Sequence, residues 1–140
     1  MAYLTSQNIW RAVVVALRAD SGLKAALTGG MHEGLAPEKV PYPHLVWQAV
    51  VPGVKKDTFN SRLYIGLADV VVISRNSVEA SNLDQSVCDV LDEAQLSVTG
   101  QTSLICHRVG DIRIPEDDEE GRKIYRIGGS YEIWTSQLSS

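Results

Sequence analysis

Three histidines, His32, His44 and His107, and two cysteines, Cys88 and Cys106, are the side chains most able to bind a metal or act as nucleophiles. Their spacing supports neither chemistry. No two of the histidines have zinc-ligand spacing. Cys106 and His107 are adjacent, so on a strand they point to opposite faces. Cys88 borders an apolar helical stripe and reads as a small buried residue, as does Cys106. A Cys–His pair would have to converge from separate elements, and nothing in the sequence signals that. The Thr28-Gly29-Gly30 run invites comparison with a phosphate-binding loop. It lacks the Lys-Ser/Thr partner and a preceding strand, so it reads as a helix stop. The sequence therefore predicts no metal, no cofactor and no enzymatic activity.

The remaining cluster of titratable groups is acidic: Glu116, Asp117, Asp118, Glu119 and Glu120 in one run. Catalytic carboxylates usually face each other from different elements, whereas a charge run is usually a solvated turn. The alternative for these residues is a specific role in a pore or a contact. Composition narrows the field further. The chain has 140 residues, enough for one domain spanning 1–140 with a sizeable core. Hydrophobic residues make up 44% and charged residues 21%, as in ordinary globular domains. The net charge of -4 argues against a protein built to grip nucleic acid, though not against one that DNA passes. The first ten residues lack the pattern of a signal peptide. No apolar run approaches the ~20 residues of a membrane helix. A cytosolic product made in a reducing compartment is expected.

Elements must position whatever function remains. Ile9, Trp10, Val13, Val14 and Leu17 recur at helical spacing, with Thr5 or Ser6 as cap. Asp20 and Ser21 interrupt this helix, and a further turn or two covers Leu23 to Leu27. Met31 to Val40 reads as a long loop. Val40-Pro41-Tyr42-Pro43 should then be held extended, because each proline restrains itself and the residue before it. It feeds a strand from His44 to Val51 with Leu45, Trp47, Ala49 and Val51 on one face. Pro52-Gly53 signals a turn, and Val54 to Ser61 a loop or ragged strand end. Arg62 to Ser74 is a long strand. Asn76, with Glu79 three residues on, opens a second helix with an apolar stripe of Val78, Leu83, Val87, Val90, Leu91 and Ala94. A short strand from Leu96 to Val98, a turn at Thr99 to Gln101 and a long strand from Ser103 to Ile114 follow. The turn Glu116–Gly121 leads to a last strand, Lys123 to Thr135. Gly128-Gly129 within it reads as a bulge or a close backbone approach.

These expectations give an α+β fold: a largely antiparallel sheet of four to five strands with two main helices packed on one face. The strand Arg62 to Ser74 is apolar on both faces. Tyr64, Gly66, Ala68, Val70 and Val72 carry no charge and suit the helices. Ile65, Leu67, Val71 and Ile73 then lie on the open face, where an apolar row points to a subunit interface.

The layout resembles the tail completion family of long-tailed bacteriophages, which includes tail terminators and tail-to-head joining proteins. The similarity rests on "LRADSGLKAALTGG", "PYPHLVW", "VVVISRN", "SVEASNLDQSVCDVLDEA", "LSVTGQTSL" and "GRKIYRIGGSYEIWT" in that order along nearly the whole chain. What the resemblance implies is a structural virion protein that forms a homo-oligomeric ring, usually a hexamer. The ring would cap the tail tube protein and meet the head connector, with DNA passing through without specific binding. It would assemble in the host cytoplasm and end in the virion, away from any membrane. Two other readings compete: a head-side neck or stopper protein, and a small monomeric α+β ligand-binding domain.

Overall fold

The computed structural model describes residues 6–57, 61–98 and 100–138. The elements run α1 (Ser6–Arg18), α2 (Ser21–Ala26), β1 (Met31–Glu33), β2 (His44–Asp57), β3 (Ser61–Ser74), α3 (Ser77–Leu91), β4 (Thr102–Asp117) and β5 (Lys123–Leu138). The strands form one sheet in the order β1-β2-β3-β5-β4. Only the β1–β2 pairing is parallel. α1 lies over β2 and β3, and α3 over β3, β5 and β4, so the helices share one face. This is the α+β arrangement expected.

α1 forms because its apolar positions fall on one stripe. Ile9, Val13 and Leu17 are fully buried, and Trp10 stacks on Trp47 of β2 with ring centroids 5.5 Å apart. Each such aliphatic side chain contributes roughly 1.5–3 kcal/mol by leaving water. Asp20 does more than interrupt: its carboxylate accepts from the Leu23 N–H at 2.9 Å and caps α2. Thr5, the other expected cap of α1, lies outside the described residues. α3 starts at Asn76, whose side chain accepts from the Val78 and Glu79 N–H groups. Glu79 completes the box indirectly. It accepts from the Ser74 hydroxyl at 2.7 Å, and that oxygen accepts from the Asn76 N–H at 3.1 Å.

Register confirms the two faces of β3. Tyr64, Ala68, Val70 and Val72 join the core under the helices, together with Leu45 and Trp47 of β2 and Ile127, Tyr131 and Ile133 of β5. The β3–β5 ladder runs from Ser61↔Leu138 to Ser74↔Tyr125 without a shift. Gly128-Gly129 is therefore no bulge but a close approach: a side chain on Gly128 would strike the Val70 backbone of β3.

Three local expectations fail. Pro52-Gly53 is not a turn, because β2 runs through it with a register shift between Val50 and Gly53. The shift and the sheet-margin position absorb a residue that has no N–H to donate. Met31–Glu33 is a strand within the expected loop, paired with Leu45–Trp47. Leu96 to Val98 is not a strand. Leu96 and Val98 are buried, but the bridge to β4 here is made earlier, by Ala94↔Cys106.

Candidate assembly surface

The histidines and cysteines stay dispersed, apart from one histidine pair. His107 lies on the open face, with Nε2 3.8 Å from Glu132, while Cys106 is buried under α3. Burial pushes the Cys106 thiol up to about 12, aided by the nearby Asp92 charge, so it is no thiolate at neutral pH. Both cysteines are free thiols. Among the described residues no group of three or more His, Cys, Asp or Glu side chains could hold a metal ion. No helix there is long and apolar enough to cross a membrane. His32 and His44, far apart in sequence, come to a ring-centroid distance of 6.2 Å through the β1–β2 pairing, with Tyr42 5.2 Å from His44. His32 Nε2 faces the Gly29 carbonyl at 2.7 Å and His44 Nδ1 the Pro41 carbonyl at 3.2 Å, so one ring nitrogen of each serves the backbone.

The Pro-Tyr-Pro segment packs on the glycine run that precedes it. The Gly29 N–H donates to the Pro43 carbonyl at 2.9 Å, and the Thr28 hydroxyl to that of Tyr42 at 3.2 Å. A side chain on Gly29 would collide with the Pro41 carbonyl and the His44 Cβ. The chain bends at Tyr42 and Pro43, so the 40–43 segment is not held extended throughout as expected; the Tyr42–Pro43 bond is cis and Pro43 is buried.

The open face of the sheet carries the row read from the sequence, and the four residues divide. Ile65 and Ile73 are only 8% and 4% exposed within the single chain. Ile65 is in register with Trp134, and Ile73 sits in a cleft with Val46, Ile124 and Arg126. Leu67 and Val71 are half-buried. Register places Val46 beside Val71, and Val50 beside Leu67. Beyond Val71, Gly128 lies across from Ile112 on β4. With Ile114, 49% exposed, and Val50, 52% exposed, these residues form an aliphatic band across the sheet. Asp69, bonded by the Ser130 hydroxyl at 2.6 Å, lies between Leu67 and Val71 on the same face.

The acidic run is not one free turn. Glu116 and Asp117 end β4 and bind Arg126 at 2.7 Å and Lys123 at 2.8 Å. Asp118 binds Arg75 at 2.9 Å and accepts from the Glu120 and Arg122 N–H groups. The Arg122 N–H bond is the main reason its carboxyl is held below the usual range, with Arg75 adding to it. Glu120 binds Arg122 at 2.8 Å. Glu119 is exposed and makes no ion pair among the described residues. Arg75 also lies over the Tyr42 ring at 4.7 Å, so the turn is tied to the β3–α3 junction and to the Pro-Tyr-Pro segment.

One network has no counterpart in the sequence reading. The guanidinium of Arg108 uses all five of its N–H donors. They reach Asp84 Oδ1 and Oδ2 at 3.0 and 2.9 Å, Asp111 Oδ1 at 2.8 Å, the Tyr131 hydroxyl at 3.2 Å and the Gly128 carbonyl at 2.7 Å. The Asp84 hydrogen bonds push the Arg108 pKa further above its ordinary value, against the effect of burial. Gly129 leaves the space this guanidinium fills, since a Cβ there would come within 2.6 Å of Arg108 Cζ. The available signals are a lone Asp between buried positions of α3 and the paired glycines. The network fastens α3 to β4 and β5. Its polar groups satisfy one another, so it is structural.

The described surface carries an aliphatic band on the open face of the sheet and a braced acidic hairpin. A family model for tail completion protein gp17 matches residues 11–136. The chain belongs to the tail completion protein gp17 family. Members are structural proteins of the bacteriophage virion and not enzymes, and this chain is one of them. A chain from a virion of a native gene transfer agent particle has the same fold, with a TM-score of 0.71, 16% identity and coverage of 99% of this chain and 100% of that one. A second solved chain gives 0.61 at 13% identity, covering 99% of both chains. No curated protein matches the sequence.

Proposed function

We propose that this tail completion protein assembles into a ring, of six copies as the family resemblance implies, that closes the tail tube and joins it to the head connector. The aliphatic band on the open face carries this reading. A two-layer domain standing alone exposes a polar second face, whereas Leu67 and Val71 with Val46, Val50 and Ile114 leave apolar area for a neighbour to cover. Ile65 and Ile73 support that band from within the chain. The turn from Glu116 to Glu120 lies at the rim of the ring. Its ion pairs hold it rigid, which suits contact with an adjoining ring better than a loose channel lining.

The test is Leu67→Lys with Val71→Lys. Both side chains are half-exposed, so the chain keeps its circular dichroism. Sedimentation and negative-stain images, for the protein alone and on tail tubes, should show loss of rings, because an uncompensated charge is costly in an interface. Rings that persist in the variant, or a wild-type protein that never assembles in either setting, would overturn the reading.

A further inference from the structure

A cleft of about 440 Å³ opens at the corner of the sheet where β2, β3 and β5 meet the 34–40 loop. Val46 and Ile73 form part of its floor, and Leu35 and Lys39 stand on the loop. Leu35 is 87% exposed on this loop, beside the cleft. The lining includes Lys39, Arg75, Arg122 and Arg126 and no carboxylate. The three arginines are held by acids of the neighbouring turn. Lys39 makes no ion pair among the described residues, so the cleft offers one uncommitted cation beside an apolar floor.

The far edge of the sheet presents the complement. β4 is the edge strand there, yet two of its outward N–H groups are already taken. The Ala94 carbonyl accepts from Cys106 at 2.8 Å and the Asp92 carboxylate from Arg108 at 2.9 Å. Another strand therefore cannot add along this stretch. Just beyond it the register shifts between Arg108 and Gly110, and Val109 is half-exposed. Asp111 follows, its side chain 84% exposed and anchored by Arg108 Nε. The bulge thus sets an apolar knob beside a fixed carboxylate.

We propose that the cleft receives the Val109–Asp111 bulge of a second copy of this chain. Val109 packs on Leu35 and the apolar floor, and the Asp111 carboxylate meets Lys39. The two surfaces are complementary in charge and each offers an apolar side chain, and they are different parts of one chain: the cleft spans the end of β2, β3 and β5, and the bulge lies on the β4 edge. A contact between unlike surfaces is heterologous, repeats in one direction and closes into a ring when the rotation permits. The inference deepens the ring reading above and rests on it.

Charge reversal tests the contact. Lys39→Glu and Asp111→Lys, each folded by circular dichroism, should need at least about tenfold more protein to assemble, the effect of one like-charge pair at an interface. Mixed in equal amounts they should assemble again. The cleft of the first variant then offers a carboxylate to the ammonium on the bulge of the second, while the other two surfaces remain native. A second readout avoids charge: Leu35→Cys combined with Val109→Cys should give a disulfide ladder under mild oxidation, which the single variants do not. Unchanged assembly of both reversals, failure of the mixture to recover, or absence of the ladder would each overturn the contact. If Leu67→Lys with Val71→Lys still abolishes rings in those cases, the ring reading survives. A wild-type chain that never assembles removes both.

Discussion

At the scale of single residues, Arg108 and Gly129 should act as one unit. Arg108→Ala leaves the Asp84 carboxylate, 13% exposed, without its cation. A cost of about 3 kcal/mol is expected for breaking such a largely buried pair. Arg108→Lys should recover little of it, since three ammonium donors cannot meet the acceptors that the guanidinium fork reaches. Gly129→Ala displaces the same guanidinium and should cost a similar amount. The double variant should then be far less destabilised than the sum of the two singles in urea unfolding, whereas additivity would show that the glycine acts independently. His44 supplies a pH effect. Burial lowers its pKa below the ordinary 6.5, helped by the nearby charges of His32 and Arg126 and opposed by the Pro41 carbonyl. The unfolded chain therefore binds the proton first as pH falls. The stability due to neutral His44 is complete above pH 6.5 and is lost as pH drops from there toward the folded pKa. The melting temperature of the wild type should fall more between about pH 7.5 and pH 5 than that of His44→Gln. Equal falls would assign the pH effect to other groups.

At the scale of elements, Asn76→Ala should destabilise α3 by about 1 kcal/mol, as loss of a capping side chain does. Ser74→Ala should also cost stability, because the hydroxyl relays Glu79 to the Asn76 N–H. No effect at Ser74, measured by denaturant midpoint, would mean that the relay is incidental. Much of this level is legible in the sequence. α1 and α3 announce themselves by apolar spacing and a cap, and β3 by two rows whose charge content sorts them correctly onto the covered and open faces. What is not legible has physical reasons. β1 has three residues, too few for a period, and exists because β2 offers it a parallel partner. β2 continues through Pro52-Gly53 because an edge position with a register shift removes the penalty that local rules assign. The Leu96–Val98 alternation reflects burial of two side chains without a ladder. The Arg108–Asp84 pair joins residues 24 apart in different elements, and no local pattern encodes that.

At the scale of the whole molecule, the sheet is the working object. β3 spans 14 residues, roughly 45 Å, with the acidic turn at one end and the Asp57↔Arg62 pairing at the other. As bare sequence, the turn is five carboxylates repelling one another. In the fold, four of them face Arg75, Arg122, Lys123 and Arg126, so most of the local field cancels. Repulsion of DNA by this turn is correspondingly weak, and the exposed Glu119 is the carboxylate of the run that the proposed ring contact would use. The two halves of the run should therefore separate on mutation. Asp118→Ala removes the Arg75 pair and both turn hydrogen bonds, and should lower the melting temperature. Glu119→Gln touches none of these and should leave both the melting temperature and ring formation unchanged, while reducing the yield of joined, infectious particles. Normal particle yield with Glu119→Gln and Glu120→Gln together would make the run a solvated, self-paired turn whose only task is to close the β4–β5 hairpin.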